Sequence, residues 1–375
     1  MNRHNISLGK ILGIKIGLDY SWFLVFGLLT WMLARNYYPT EFKEWSSMLY
    51  WSMGAATAIM LFVSVLLHEL GHSVVALRYK IPVRSITLFL FGGVAQIGAE
   101  SPSPIAEFLI AIAGPLVSLA LAILFILVQP LLAGIEPLMG LAKYLAYINL
   151  ALVLFNLIPG YPLDGGRVFR AIVWSITGSM RRATIIAANV GRFFAFILIF
   201  IGIWQMFTGN FSNGVWIAFI GWFLDNAATS QVQQMMFQGL LAGHKVSQAM
   251  STHCAAVSAD LTLQELVDEH ILTSGQRSFL VKRGEDTVGL MTLHRLKEVP
   301  RSEWVRTSAA QVMLPFDKLK RVGPDTDLSA ALQEMDRDGV NQLPVTKGQE
   351  VLGMLSREDV ITFLTTIQEL ESSRG

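Results

Sequence analysis

The chain has 375 residues, a formal net charge of +1, 53% hydrophobic and 15% charged residues, and a mean hydropathy of +0.48. It is too apolar for an ordinary soluble enzyme and long enough for two or three folded units. The near-neutral balance excludes a nucleic-acid partner, and the single cysteine, Cys254, excludes an internal disulfide or a multi-cysteine metal site, so any metal must be held by His, Asp or Glu.

In chain order, the basic segment Met1 to Lys15 precedes an apolar run near 18–34 with no Ala-x-Ala-like cleavage site, which reads as a retained membrane anchor. Further apolar runs long enough to cross about 30 Å of hydrocarbon fall near 51–77, 105–132, 141–158 and 190–208. A weaker sixth lies near 214–236, where Asp225 and Asn226 follow the clean run Val215 to Leu224. Asp225 reads equally as an acid facing a cavity or as the point where the sixth helix leaves the hydrocarbon. Six spans put both termini on one side. That side collects Arg3, Lys10, Lys15, Arg78, Lys80, Arg84, Arg167, Arg170, Arg181, Arg182 and Arg192, whereas the other holds Arg35, Lys43 and Lys143, so both termini are expected in the cytoplasm of a multi-pass cell-membrane protein.

Between the second and third spans, Ile81 to Gln96 is rich in β-branched and aromatic residues around Gly92-Gly93 and predicts a hairpin. At membrane depth a hairpin must be covered by protein or line a wet cavity. It either plugs the bundle or offers an edge to an extended partner. Beyond Gly239 to His244 the composition turns polar, which sets a membrane domain at 1–238 apart from a soluble part. There Gln248-Ala249-Met250 recurs as Gln311-Val312-Met313, and Val288-Gly289-Leu290-Met291-Thr292 as Leu352-Gly353-Met354-Leu355-Ser356. Each copy alternates strands (Ser278 to Val281, Gln342 to Val345) with helices (Thr262 to His270, Asp327 to Arg337), giving two α+β repeats at 244–300 and 307–368.

Two motifs carry chemistry. In His68-Glu69-Leu70-Gly71-His72 the histidines stand at i and i+4 of a helix, so both imidazoles can face one ion with Glu69 beside the bound water. They are the only histidines between His4 and His244, in a span where an uncompensated ionisable group costs several kcal/mol. The competing reading is a polar trio satisfied across helices. A catalytic zinc takes three protein ligands and leaves one position open. Asp164 is the best third donor, because the prolines and glycines of Asn156 to Arg167 break the fourth helix and free the backbone to aim a carboxylate inward. The bland alternative is a helix-ending turn with a solvated Asp. His244, His253, His270 and His294 lack ligand spacing.

These motifs, His-Glu-x-x-His and Asn-x-x-Pro-x-x-Pro-Leu-Asp-Gly-Gly, resemble those of the site-2 proteases, zinc intramembrane proteases, in the subgroup with C-terminal CBS domains. The resemblance covers nearly the whole chain. It implies a polytopic α-helical membrane fold of about six spans, with Ser85 to Gln96 in a membrane-inserted sheet, followed by an α+β CBS tandem. It also implies one zinc per subunit held by His68, His72 and Asp164, Glu69 as general base, and Asn156, Gly92 and Gly93 near the substrate or oxyanion. The expected activity is hydrolysis of peptide bonds in membrane-protein substrates within the bilayer. Gly353-Met354-Leu355-Ser356-Arg357-Glu358-Asp359 fits the ribose-binding Gly-x-x-Ser/Thr-x-x-Asp pattern of CBS domains, implying Ser356 and Asp359 at an adenine nucleotide, but the first copy has Arg295 where the acid would stand. The tandem is therefore a nucleotide sensor or a structural, dimerising module, and a CBS-paired homodimer is expected. The leading alternative function is a CBS-regulated metal-ion transporter.

Overall fold

The computed structural model describes residues 5–89, 92–98, 100–252, 254–348 and 350–372. Its chain divides into two compact units, Met1–Gln234 and Met235–Gly375.

In the first unit, strand β1 (Asn5–Ile11) turns through Leu12 and Gly13, both at positive φ, into β2 (Ile14–Asp19). β2 runs parallel to β3 (Val83–Phe89), which pairs antiparallel with β4 (Gly92–Ile97), giving the order β1-β2-β3-β4. Of the hairpin expected at Ile81 to Gln96, Leu90 and Phe91 lie outside the described residues. The basic N-terminal segment, read from sequence as the flank of an anchor, instead supplies two of the four strands. Its alternation explains why: Ile14, Ile16 and Leu18 are buried while the residues between them are not. Ile14, Ile16, Val83 and Ile86 pack with Leu70, Ala76 and Ile110 of the helices described next.

A helical run α1 (Ser21–Met32) continues through a π turn (Leu33–Tyr37) into α2 (Tyr38–Glu41). Then come α3 (Ser47–Arg78), α4 (Pro104–Val128), α5 (Glu136–Asn156), α6 (Asp164–Thr177), α7 (Met180–Phe207) and α8 (Phe211–Leu241). Among the described residues, α3, α4 with the turn after it, α5 and α7 are long and apolar enough to cross a membrane. At Asp225 and Asn226, where the apolar run ends, the backbone stays helical, since α8 passes through both. Arg192 Nε of α7 donates to Asp225 Oδ1 at 2.9 Å, which gives that acid a partner on the neighbouring helix. Helices meet through small residues: a Cβ on Gly71 would press on Val117 and Ala113 of α4, and one on Gly202 would meet Gly214 and Ala218 of α8.

The loop 157–163 folds tightly onto the first turn of α6. A Cβ on Gly165 would overlap the Leu157 and Ile158 carbonyls, and one on Gly166 the backbone of Gly160 and Tyr161. Loop and helix start therefore form one block, which α7 approaches at Gly191.

The second unit holds the repeat. The first copy comprises α9 (Val246–Ala249), β5 (Ala256–Ser258), α10 (Leu263–Glu265) continued by a π turn into α11 (Leu272–Ser274), β6 (Ser278–Arg283), β7 (Asp286–Thr292) and α12 (Leu293–Leu296). The second has α13 (Ala309–Val312), β8 (Leu314–Pro315), α14 (Leu328–Asp338), β9 (Gln342–Lys347), β10 (Glu350–Ser356) and α15 (Arg357–Ser372). The copies exchange their leading segments: β8 pairs with β7 of the first copy, while Ser251 bridges to Met354 in β10 of the second. Gln248 and Gln311 make the same cap, each accepting from the backbone N–H three residues earlier at 2.9 Å. Each copy has its own apolar core, one around Val257, Leu263, Phe279 and Met291, the other around Val322, Leu328, Leu343 and Leu355.

Candidate metal centre

Residues His68 and His72 lie one turn apart on α3 and are both buried. Their Nε2 atoms are 3.2 Å from each other, and Asp164 Oδ2, at the start of α6, is 3.0 Å from His68 Nε2 and 3.2 Å from His72 Nε2. Among the described residues this is the one group of three potential ligands close enough to share an ion.

The outward ring atoms decide what the inward ones can be. His72 Nδ1 stands 2.7 Å from the Ile110 carbonyl oxygen. A carbonyl only accepts, so Nδ1 carries the proton and Nε2 of the neutral ring is a bare lone pair. His68 Nδ1 meets the Ser118 hydroxyl at 2.9 Å, a group that holds the ring from behind and can accept from it or donate to it. The inward lone pair of His72, the inward ring nitrogen of His68 and a carboxylate oxygen thus converge on one point. The His72 lone pair and the carboxylate repel each other without a cation between them, and a cation there would draw on all three atoms. Tetrahedral zinc with N and O donors at about 2.0–2.2 Å sets those donors about 3.3–3.6 Å apart, a little wider than the 3.0–3.2 Å seen. The donor set fits zinc.

Space is reserved at the same point. A Cβ built on Gly114 of α4 would run into Nε2 of His72 and approach His68 Nε2 to 2.7 Å. Ile110, Gly114 and Ser118 fall on one stripe of α4, which supplies a carbonyl, a gap and a hydroxyl to the centre. Sequence reasoning missed all three. The signal that was there is the Gly114-Pro115 pair inside an apolar helix.

Glu69 is half-buried beside the histidines, and β4 lies directly against it: a Cβ on Gly93 would overlap Glu69 Cγ and come within 3.2 Å of Oε1. Gly92 takes φ 125°, a conformation that suits glycine. In the sheet order β4 is the terminal strand, so its outer edge has no strand partner among the described residues. Asn156 is the last residue of α5 and half-buried, and it makes no hydrogen bond to the His68, His72 and Asp164 group.

In the second unit, Ser356 and Asp359 bond to each other. Asp359 Oδ2 accepts from the Ser356 N–H at 2.8 Å and from its hydroxyl at 2.6 Å, a cap on α15. Cys254 is half-buried; burial, and then the charge of Asp359, push its thiol above the usual range, which makes it a poor nucleophile.

Comparison with known proteins places Peptidase family M50 on residues 56–136 and 131–198 and a CBS domain on 309–366. Rip3 of Mycobacterium tuberculosis, which is named a zinc metalloprotease, is 37% identical over 363 residues, 96% of this chain and 92% of its own. A protein of Synechocystis with the same kind of name is 34% identical over 366 residues, 97% of this chain and 96% of its own. Among solved structures, a site-2 protease from Methanocaldococcus jannaschii aligns at 33% identity and TM-score 0.44, covering 61% of this chain and 95% of that one.

Proposed function

Because the chain belongs to Peptidase family M50, the site-2 proteases, it is an integral-membrane zinc metalloprotease with a CBS domain, and we propose that His68, His72 and Asp164 hold the zinc while Glu69 moves the protons. The observation that carries this is the convergence of His68 Nε2, His72 Nε2 and Asp164 Oδ2 at 3.0–3.2 Å with Glu69 next to them. Zinc held there supplies a Lewis acid that polarises a peptide carbonyl and acidifies water. Glu69 takes a proton from the attacking water and returns it to the leaving amine. The Ile110 carbonyl keeps His72 in the tautomer that leaves Nε2 bare, and the Ser118 hydroxyl can accept from Nδ1 of His68 to allow the same there.

The substrate is a transmembrane segment. A helical substrate hides its carbonyls in internal hydrogen bonds, so it must be unwound locally, and the outer edge of β4 can hold it extended by strand addition. Gly93 brings that edge onto Glu69, which supports this use over a mere plug. Asn156 and the Gly92-Gly93 backbone are assigned to the carbonyl side of the scissile bond. We read 1–238 as the protease domain with six spans, counting the α1 run and α8, and 244–300 and 307–368 as CBS repeats on the cytoplasmic side. The excess of Lys and Arg around both termini supports that orientation. The CBS tandem regulates cleavage and pairs two subunits.

Reconstituted into vesicles with a single-span substrate, the protein should cut it, stop when zinc is stripped by a chelator, and resume on adding Zn2+. A zinc-sensitive dye inside the vesicles should stay silent. Dye signal without cleavage would favour the transporter instead. For the tandem, Asp359→Asn should weaken AMP or ATP binding at least about tenfold by calorimetry, because it removes the acid that would grip the ribose. Equal affinity in both proteins would take Asp359 out of the nucleotide site, and no binding in either would leave the tandem a structural module.

A further inference from the structure

We propose that Glu107, clamped by Arg167 and Arg170, is a positioning residue that sets Asp164 at its distance from the two histidines. The proposal rests on the reading of Asp164 as a metal ligand.

Glu107 sits in the first turn of α4 and is 1% exposed. It accepts from Arg167 Nε at 3.0 Å and Nη2 at 3.4 Å, and from Arg170 Nη2 and the Ser101 hydroxyl in short contacts. Arg170 is itself buried, and its guanidinium lies 5.2 Å from the Tyr161 ring centre. So the two arginines of α6 hold an acid on α4 on one side, and one of them holds the loop before Asp164 on the other.

Asp164, Arg167 and Arg170 follow at three-residue steps along α6, which keeps them on neighbouring turns. The loop 157–163 and the α6 start are one block through Gly165 and Gly166. Leu163, the residue that caps α6, makes no side-chain cap hydrogen bond. The ion cluster therefore ties this block to α4. Along α4 the same stripe carries Glu107, then Ile110 behind His72, Gly114 at the metal position and Ser118 behind His68. One helix thus serves as the common reference for the histidines of α3 and the carboxylate of α6.

Stability alone is a poor reason for the cluster. Taking charges out of water is costly, and well-packed apolar replacements of such clusters are often neutral or better. What an apolar patch does not supply is register, since forked Arg–carboxylate bonds fix direction as well as distance.

The test is a double-mutant cycle on zinc affinity, measured by chelator competition on the full-length protein in detergent. Glu107→Gln should weaken zinc about 10–100-fold, the range for groups that orient metal ligands. In an Asp164→Ala background the same change should cost less than about threefold, because the ligand it positions is gone. An equal loss in both backgrounds, or no loss in the wild-type background, overturns the clamp. If Asp164→Ala itself leaves zinc affinity unchanged, the ligand assignment fails and not merely the clamp. Should Glu107→Gln not fold, Arg167→Lys, which keeps the charge and loses the fork, goes through the same cycle and is decided by the same outcomes.

Discussion

Glu69→Gln is expected to slow peptide cleavage by about 10²–10⁴-fold, the range carried by a positioned general acid–base group, while the protein keeps its zinc. Gln matches Glu in size and fits against Gly93 without a new contact, so the change removes the proton acceptor and little else. None of the three converging donors belongs to Glu69, so metal content should be unchanged. Single-turnover cleavage of a transmembrane substrate in proteoliposomes, with zinc measured on the same sample, separates the two effects. Cleavage within tenfold of wild type, with zinc present, would remove Glu69 from the chemistry.

Gly114→Ala should do the opposite, losing the metal and keeping the fold. The new methyl group occupies the point on which His68 Nε2 and His72 Nε2 converge. Both imidazoles are pinned from behind, by Ser118 and the Ile110 carbonyl, and cannot retreat without giving up those hydrogen bonds. Zinc affinity should fall by at least about a hundredfold, the upper end of what outer groups cost. Alanine is favoured over glycine in a helix interior by about 1 kcal/mol, so the helix itself should not suffer. Full zinc occupancy at wild-type affinity in Gly114→Ala would show that the metal lies elsewhere.

These two residues differ in how far the sequence announced them. Glu69 stands in a motif whose spacing follows from helix geometry alone, and the same geometry puts His68 and His72 on one face before any fold is known. Asp164 was legible because carboxylates are scarce in that half of the chain and this one follows a Pro- and Gly-rich break. Gly114, the Ile110 carbonyl and Ser118 contribute a vacancy, a backbone oxygen and a hydroxyl, which no residue type betrays until α3 and α4 are packed together. Asp225 was ambiguous for the same reason: its partner Arg192 is 33 positions away on another helix.

The fold was legible where a period extended over enough residues. The long apolar runs and the repeat at 63–64 residues were clear, and the strands near Ser278 and Gln342 fell where their patterns put them. The N-terminal hairpin was hidden because its alternation ends where an apolar run begins, so one segment merged into the other. The exchange of leading segments in the tandem was hidden too, since a repeat offset says which residues are equivalent and not which copy each packs against.

The three donors come from distant parts of the chain: Asp164 is 96 positions beyond His68. At about 5–20 residues per second, a ribosome needs about 5–20 s to lay down that interval. Throughout it the nascent chain carries two histidines and a glutamate with no carboxylate to complete the site. On the proposed ligand set, a newly inserted chain would be inert until α6 is in place, and chains that stall earlier would leave the membrane proteins inserted alongside them uncut.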